Sequence, residues 1–477
     1  MEPDFLSRIQ FALTAGFHFL FPPISIGLSV FVLIVEALWV YRGDQTYKRA
    51  AKFFLKLFSI IFAVGVVTGI VLEFEFGTNW PIYSKFVGDV FGGPLAIEAL
   101  FAFFMESVFL GVAVWGWDKI GKKKHLLATL LVCVGTHLSA VWIIAANSFM
   151  QTPAGYQLTY TSPAGEVRLS SVPTKEQIPN TRAEITDFWD MALSPSMADR
   201  FTHTIAGSWL CGAFFAIGVC GFLILKGSCP FAKPCAKIAL AYGGFAALFM
   251  LYTGHSSAKN LAVTQPEKLA ALEGLYESEN PADLYAFGWV DEEKQKVSGV
   301  KLPGFLTLLC YGSYDGEIKG LRELPSDEFL GQIYPGATKK QLEAHRPKYW
   351  APVNFCFQTF RIMVYLGAAM AVFLLLGYWL WIKGRLFDTK AKYVRIFWKF
   401  SMYATLMPII ACQFGWAAAE VGRQPWILWH ILKTSDAATT SASASEILFG
   451  ICLFSAIFIA VAVAAVAILF EKIRKEA

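Results

Sequence analysis

Long apolar runs set the organisation of this chain, and short basic segments punctuate them. A helix that crosses a bilayer needs about 20 mostly apolar residues in succession. Nine runs meet that requirement, at roughly 11–40, 53–77, 92–117, 126–150, 201–225, 236–254, 354–382, 397–420 and 446–471. The pattern predicts an all-α integral membrane protein with about nine transmembrane helices. Two polar stretches interrupt the series: 151–200, and a longer one from about His255 to Tyr349. The chain therefore divides into helices 1–6 with a loop (1–254), a large loop (255–350) and helices 7–9 (351–477). A loop as long as the second is usually functional or flexible.

Charge sets the expected orientation. The loops 41–56, 118–125, 226–237 and 383–399, with the tail after Glu471, hold 21 of the 41 basic residues; the alternate segments, 151–200 included and the largest loop set aside, hold eight. Basic loops face the cytoplasm, which places the N-terminus and both long loops outside and the C-terminus inside. An apolar content of 56% and a mean hydropathy of +0.49 exclude a soluble globular protein. The net charge of +5 is no nucleic-acid signature, because the basic residues sit in short loops between apolar runs. Met1–Arg8 carries Glu2 and Asp4 without a small-residue cleavage site downstream, so the first run reads as a retained helix. The nine cysteines form no CxxC or CxxCH, which argues against a disulfide framework, a zinc site or a covalently attached c-type haem. No internal repeat supports an inverted-repeat transporter.

The candidate chemistry centres on Gly415-Trp416-Ala417-Ala418-Ala419-Glu420-Val421-Gly422-Arg423-Gln424-Pro425-Trp426, where an apolar helix should be ending. Gly422 and Pro425 break the helix, and a buried acid beside an arginine is costly unless it binds something. His18, His203, Arg361 and Met363 fall at the same expected depth, with Glu98 and Glu106 in the outer half and middle of the third run. Singly, each has an ordinary explanation. A membrane histidine hydrogen-bonds a neighbouring helix, a methionine fills a gap, an arginine snorkels, and Glu420 pairs with Arg423 at i+3. Together these explanations require several independent accidents at one level. Haem accounts for the histidines, the methionine and the arginines: an apolar disc, propionates that need arginine, and histidine and methionine as axial ligands. His203 with Met363 would make a closed, electron-carrying centre, whereas His18 and Glu420 would each leave iron a position open to dioxygen.

The residues carry a specific resemblance. Ser7-Arg8-Ile9-Gln10-Phe11-Ala12-Leu13-Thr14 leading to His18, Glu73-Phe74-Glu75-Phe76-Gly77-Thr78-Asn79-Trp80, Pro94-Leu95-Ala96-Ile97-Glu98, Phe103-Phe104-Met105-Glu106-Ser107, His203-Thr204, Phe360-Arg361-Ile362-Met363-Val364 and the Gly415–Trp426 segment resemble subunit I of the cytochrome bd quinol oxidases over nearly the whole chain. The resemblance implies two haem b, one low-spin on His203 and Met363 and one high-spin, and one haem d. His18 and Glu420 correspond to the ligands of the last two, with His18 favoured for haem d. It implies propionate partners in Arg361 and Arg423, a conducting aromatic in Trp416, and Asn147 near haem d. Glu98 and Glu106 correspond to proton-transfer acids, separated by roughly 12 Å of helix. Lys268 and Glu273 correspond to the functional pair of a quinol-binding loop of the shorter type; on residues alone they read as a solvated amphipathic helix. His137, in a span where the family carries a polar amide, and His255 at the mouth of the large loop depart from the pattern.

A member of this family would oxidise quinol at the outer face of the bacterial cytoplasmic membrane and reduce dioxygen to water with cytoplasmic protons, charging the membrane without a pump. It would partner a second large membrane subunit, with or without a very small third one. A cofactor-free ion or proton transporter built on the same buried acids, or an oxidase with b-type haems alone, are the rival readings. A reduced-minus-oxidised spectrum with pyridine haemochrome analysis is expected to show both b- and d-type haem. Colourless protein would favour the transporter, and b-type signals alone the third reading.

Overall fold

The computed structural model describes residues 3–227, 229–438 and 442–477. Among them, nine helical spans are long and apolar enough to cross a membrane: span 1 (Pro3–Arg42), span 2 (Gln45–Thr78), span 3 (Gly88–Trp115), span 4 (Lys122–Gln151), span 5 (Met197–Lys226), span 6 (Ala232–Thr264), span 7 (Val353–Ile382), span 8 (Lys392–Val421) and span 9 (Ala444–Glu476). The expected number and order hold, but three spans are irregular.

Span 1 consists of two helices, Pro3–His18 and Pro22–Arg42. Pro22 and Pro23 supply no amide hydrogens and suit a helix start. His18 therefore closes the first helix instead of lying within one continuous span. Its polar stripe faces span 2: Asn79 donates to Gln10 at 3.0 Å, Thr14 to Glu75 at 2.5 Å, and His18 Nδ1 meets Thr68 Oγ1 at 3.0 Å. Span 3 contains a π-helical segment, Glu98–Phe103, just after Pro94. Span 8 breaks between Lys392–Ala404 and Leu406–Val421. Pro408 cannot donate to the carbonyl four residues earlier, and at the break Thr405 Oγ1 donates to Phe214 O of span 5 at 3.2 Å. Span 6 continues past His255, which is exposed on it, and stops at Thr264 before Gln265-Pro266, where the pre-proline residue is pushed out of the helical region.

Span 5 is the hub of the bundle: 78% of its most apolar stretch is buried, against 11% for span 9 at the rim. It contacts spans 1, 4, 6 and 8. Small residues permit this. A Cβ on Gly212 would lie 2.0 Å from the Gly27 carbonyl carbon of span 1, and one on Gly218 2.1 Å from Thr405 Oγ1. In a membrane, where apolar burial does not distinguish helix from lipid, such close backbone approach supplies the packing energy. At the basic end, buried Glu36 of span 1 accepts from Thr129 at 2.6 Å and pairs with His125 Nδ1 at 2.6 Å, while His125 Nε2 donates to Ala113 O at 2.9 Å. Spans 1, 3 and 4 are thereby tied together.

The two polar stretches fold over the opposite end. Residues 151–200 form an antiparallel sheet of β1 (Tyr156–Ser162), β2 (Gly165–Leu169) and β3 (Thr181–Ile185), in the order β2-β1-β3. The larger loop holds the helix Pro266–Glu273 and a hairpin of β4 (Leu284–Asp291) and β5 (Lys296–Leu302).

Replacing Gly212 with Val should force spans 1 and 5 apart and cost about 1–3 kcal/mol. The expected outcome is a clear fall in the thermal midpoint of the purified protein. Gly331→Ala, at a position where a Cβ meets nothing within 4 Å, should leave it unchanged.

Candidate functional site

The end of span 8 gathers the candidate groups. Helix Leu406–Val421 closes with the Gly422 amide on Ala418 O at 3.0 Å, one residue after Glu420. Glu420 Oε1 accepts from Asn147 Nδ2 at 3.0 Å and Gln151 Nε2 at 3.3 Å, with Arg200 Nη2 at 3.8 Å. Glu420 Oε2 accepts from Arg423 Nη2 at 2.5 Å. The ordinary i+3 ion pair therefore exists, as one contact among four. Arg200 also donates to Asn147 Oδ1, and Lys268 donates to Gln151 Oε1 and, at 2.9 Å, to Gln265 Oε1. Gly422 is required: a Cβ there would sit 2.6 Å from Ala418 O and 3.1 Å from the Lys268 stem.

The cationic side of this cluster is incompletely paired. Arg423 Nε and Nη1 and Arg200 Nε are buried with no partner among the described residues. Buried guanidinium donors left open are costly, and carboxylates of a bound group would fit them. Arg200 and Gln151 were not singled out from sequence. Arg200 could have been, since it lies one turn before His203 in the first turns of an apolar helix.

Other candidates border the same segment. Met363 faces Gly415, where a Cβ would lie 2.7 Å from its Sδ. Trp416, one turn before Glu420, reaches span 1 on both sides of His18. Its ring is 6.4 Å from that of Phe19 and 3.9 Å from a Cβ placed on Gly16.

Both histidines are held through Nδ1 by a threonine. Thr68 Oγ1 donates its hydrogen to Val64 O or Gly65 O, both at 3.0 Å, and so accepts from His18 Nδ1 at 3.0 Å. Thr253 Oγ1 donates to Met250 O at 3.2 Å and accepts from His203 Nδ1 at 3.2 Å. With Nδ1 carrying the proton, Nε2 presents its lone pair, the tautomer a metal needs. By contrast, His137 is consumed structurally: Nδ1 bonds Cys133 O at 2.7 Å and Nε2 accepts from Trp209 at 3.1 Å.

The helix Pro266–Glu273 is buried from Glu267 onward, so the solvated-helix reading of Lys268 and Glu273 fails. These two residues serve different ends of the site. Lys268 joins the Glu420 network. Glu273 takes Arg361 in a two-pronged pair, with Nη1 to Oε1 at 3.3 Å, while Arg361 Nε donates to Tyr285 O at 2.7 Å. Arg361, expected from the resemblance beside a propionate, is here bound to Glu273. Burial pushes Glu273 above the usual carboxylate range, against the opposing charge of Arg361. Burial, reinforced by Arg200, pushes Lys268 well below the usual ammonium range.

Glu98 and Glu106 stand apart from the span 8 cluster. Glu106 accepts from Ser139 of span 4 at 3.3 Å and packs on Gly135, where a Cβ would clash at 2.5 Å. Glu98 opens the π segment, a feature that often marks functional positions. Ser139 and Asn147 lie eight residues apart on span 4, so about 12 Å of helix connects the two regions.

Arg361→Gln should strand Glu273 as an unpaired buried acid and cost about 3–5 kcal/mol. Adding Glu273→Gln should recover most of that loss. Thermal unfolding of both variants tests the coupling.

The profile of the family described as cytochrome bd terminal oxidase subunit I matches residues 6–477. The cytochrome bd ubiquinol oxidase subunit 1 of Bacillus subtilis (strain 168) is 40% identical over 476 residues, covering 99% of this chain and 94% of that protein. The cytochrome bd-II ubiquinol oxidase subunit 1 of Escherichia coli (strain K12) is 32% identical, covering 95% and 94%. The solved structure of the bd oxidase from Geobacillus thermodenitrificans superposes with a TM-score of 0.83 at 28% identity, covering 100% of this chain and 99% of that one. Whole-chain likeness in sequence and fold identifies this multi-pass bacterial membrane protein as a member of the cytochrome bd terminal oxidase subunit I family.

Proposed function

We propose that this chain is the catalytic subunit of a terminal quinol oxidase. The observation that carries the reading is the pair of histidines, His18 and His203, each fixed through Nδ1 by a threonine with Nε2 left to ligate. The donors of Arg200 and Arg423 that find no partner among the described residues fit the propionates of a porphyrin. His203 and Met363 would hold a low-spin haem b. His18 and Glu420 would hold haem d and a high-spin haem b, with His18 on haem d. When bound, these haems supply electron transfer and the iron at which dioxygen is reduced to water. Basic loops facing the cytoplasm put the span 8 cluster near the outer face, with the N-terminus outside and the C-terminus inside.

The chain's own groups do the proton work. Quinol loses two protons with two electrons, and Glu273, already raised by burial, accepts one at its carboxylate. Lys268, depressed by burial, takes up a proton when phenolate charge develops beside it. Arg361 links Glu273 to the turn of span 7 that carries Met363, and Asn147 and Gln151 aim the Glu420 carboxylate. Trp416, one turn before Glu420 and in contact with the segment of span 1 that carries His18, serves as a conducting aromatic. Glu106, held by Ser139, and Glu98 pass protons from the cytoplasmic side toward the oxygen site. Four electrons from two quinols reduce one dioxygen. Uptake on one side and release on the other charge the membrane without pumping. A second large membrane subunit completes the complex, and a very small third one is compatible with it.

His203→Ala and Met363→Leu should each abolish the low-spin haem signal, lower haem content from three per subunit to two, and bring quinol-driven oxygen uptake to background. Low-spin signal and turnover retained in both would refute the assignment.

A further inference from the structure

The hairpin β4–β5 carries an apolar face that the oxidase reading leaves unused. Phe287, Trp289 and Val300 are 60%, 63% and 59% exposed, and Leu302 and Phe305 extend the same patch. On β4, Val290 and Gly288 turn inward, the latter toward Phe357, so Phe287 and Trp289 point the other way. Val300 stands opposite Phe287 across the ladder. An exposed aromatic and aliphatic patch of this kind marks an interaction surface.

The position of the hairpin identifies what covers it. Its free edge is clamped to span 7 by side chains spaced along one helix face. The Val290 amide donates to Asn354 Oδ1 at 3.2 Å, Gln358 donates to Gly288 O at 2.9 Å, Arg361 Nε to Tyr285 O at 2.7 Å, and Tyr365 OH to Ala286 O. Phe287 stacks on the Tyr365 ring at 5.0 Å. From Tyr365 to Lys383, beyond the basic end of span 7, is 18 residues, or about 27 Å of helix, close to the ~30 Å of a bilayer's hydrocarbon core. Tyr365 therefore lies at the hydrocarbon boundary, and the hairpin descends alongside it. Polarity follows depth. The turn bearing Glu292, Glu293 and Lys294 lies at the start of span 7, where the Asn354 amide donates to Glu292 at 2.8 Å. Phe287, Val300 and Leu302 lie at the deep end. Lys301, also deep, is neutralised by Asp283 at 3.2 Å. The patch is continuous with the exposed Val364 and Tyr365 of the span itself.

We propose that the β4–β5 hairpin is seated in the lipid interface, with Phe287, Trp289, Val300 and Leu302 against phospholipid. Aromatic side chains favour this zone because their rings are apolar and their edges tolerate headgroups. The backbone of β4 covers Arg361 and Glu273, so the seated hairpin forms the membrane-side wall of that pair. A lipid-dissolved substrate reaches Glu273 along this wall; only this last consequence rests on the oxidase reading.

Photolabelling of the whole purified complex in nanodiscs tests the seating without any substitution. Phosphatidylcholine carrying a diazirine close to the glycerol end of one acyl chain should leave adducts, located by peptide mass spectrometry, on both the 287–302 segment and Val364–Tyr365. Adducts at Val364–Tyr365 but none on the hairpin would overturn the proposal, whether water or another subunit covers it. Labelling of the hairpin by a water-soluble carbene precursor alone would do the same. In a second measurement, Trp289→Ser with Val300→Ser should raise the KM for a long-tailed quinol about tenfold, the equivalent of ~1.4 kcal/mol, and leave that for a tailless quinol unchanged. An equal change for both substrates would overturn the portal role. Absence of quinol turnover in the unaltered complex would instead remove the oxidase reading and leave the labelling result standing.

Discussion

A carboxylate buried among cations at the end of a membrane helix is the constraint around which this protein is arranged. Glu420 cannot keep its charge in a low-dielectric setting unless positive and hydrogen-bonding groups surround it. Asn147, Gln151, Arg200 and Arg423 do so from span 4, span 5 and the turn after span 8, with Lys268 behind Gln151. The cations exceed what one carboxylate needs, and three guanidinium nitrogens find no partner among the described residues. That excess distinguishes the cluster from a simple helix-end ion pair and is what the proposed porphyrin carboxylates would answer.

Bringing four elements to one carboxylate demands close helix packing. Span 5 meets span 1 at Gly27 and Gly212 with no room for a single methyl, and it meets span 8 at Gly218 in the same way. These contacts set where Arg200 and His203 arrive, because both lie on the same rigid helix. Glycines 415 and 422 do the equivalent work locally, opening space for Met363 and for the Lys268 stem. Packing and chemistry are therefore linked through small residues that carry no reactive group.

Irregular helix geometry concentrates where function is proposed. The break at Pro22-Pro23 follows His18, the π segment begins at Glu98, and span 8 bends at Thr405 before the 16-residue helix that ends beside Glu420. Each irregularity frees or re-spaces backbone groups, which a membrane interior tolerates only where protein re-satisfies them. The β4 edge is handled by the same rule: Gln358, Arg361 and Tyr365 cap carbonyls of β4 along its free edge.

Much was legible in the chain itself. Nine apolar runs fix nine spans, because hydrocarbon thickness converts directly into helix length. The Gly415–Trp426 segment announces a helix end that holds charge, since Gly422 and Pro425 terminate it just after Glu420. His18, His203 and Met363 stand out as polarisable groups at a shared depth. What the sequence could not decide is pairing between side chains distant along the chain. Arg200 lies 220 residues from Glu420 and Lys268 117 from Gln151, and no local pattern relates them. Lys268 and Glu273 read as a surface charge pair; the fold buries both and turns them to different partners. Helix propensity and hydropathy are sums over neighbours in sequence, whereas the partner of a buried charge is set by which helices the glycines allow to touch. That step belongs to tertiary structure alone.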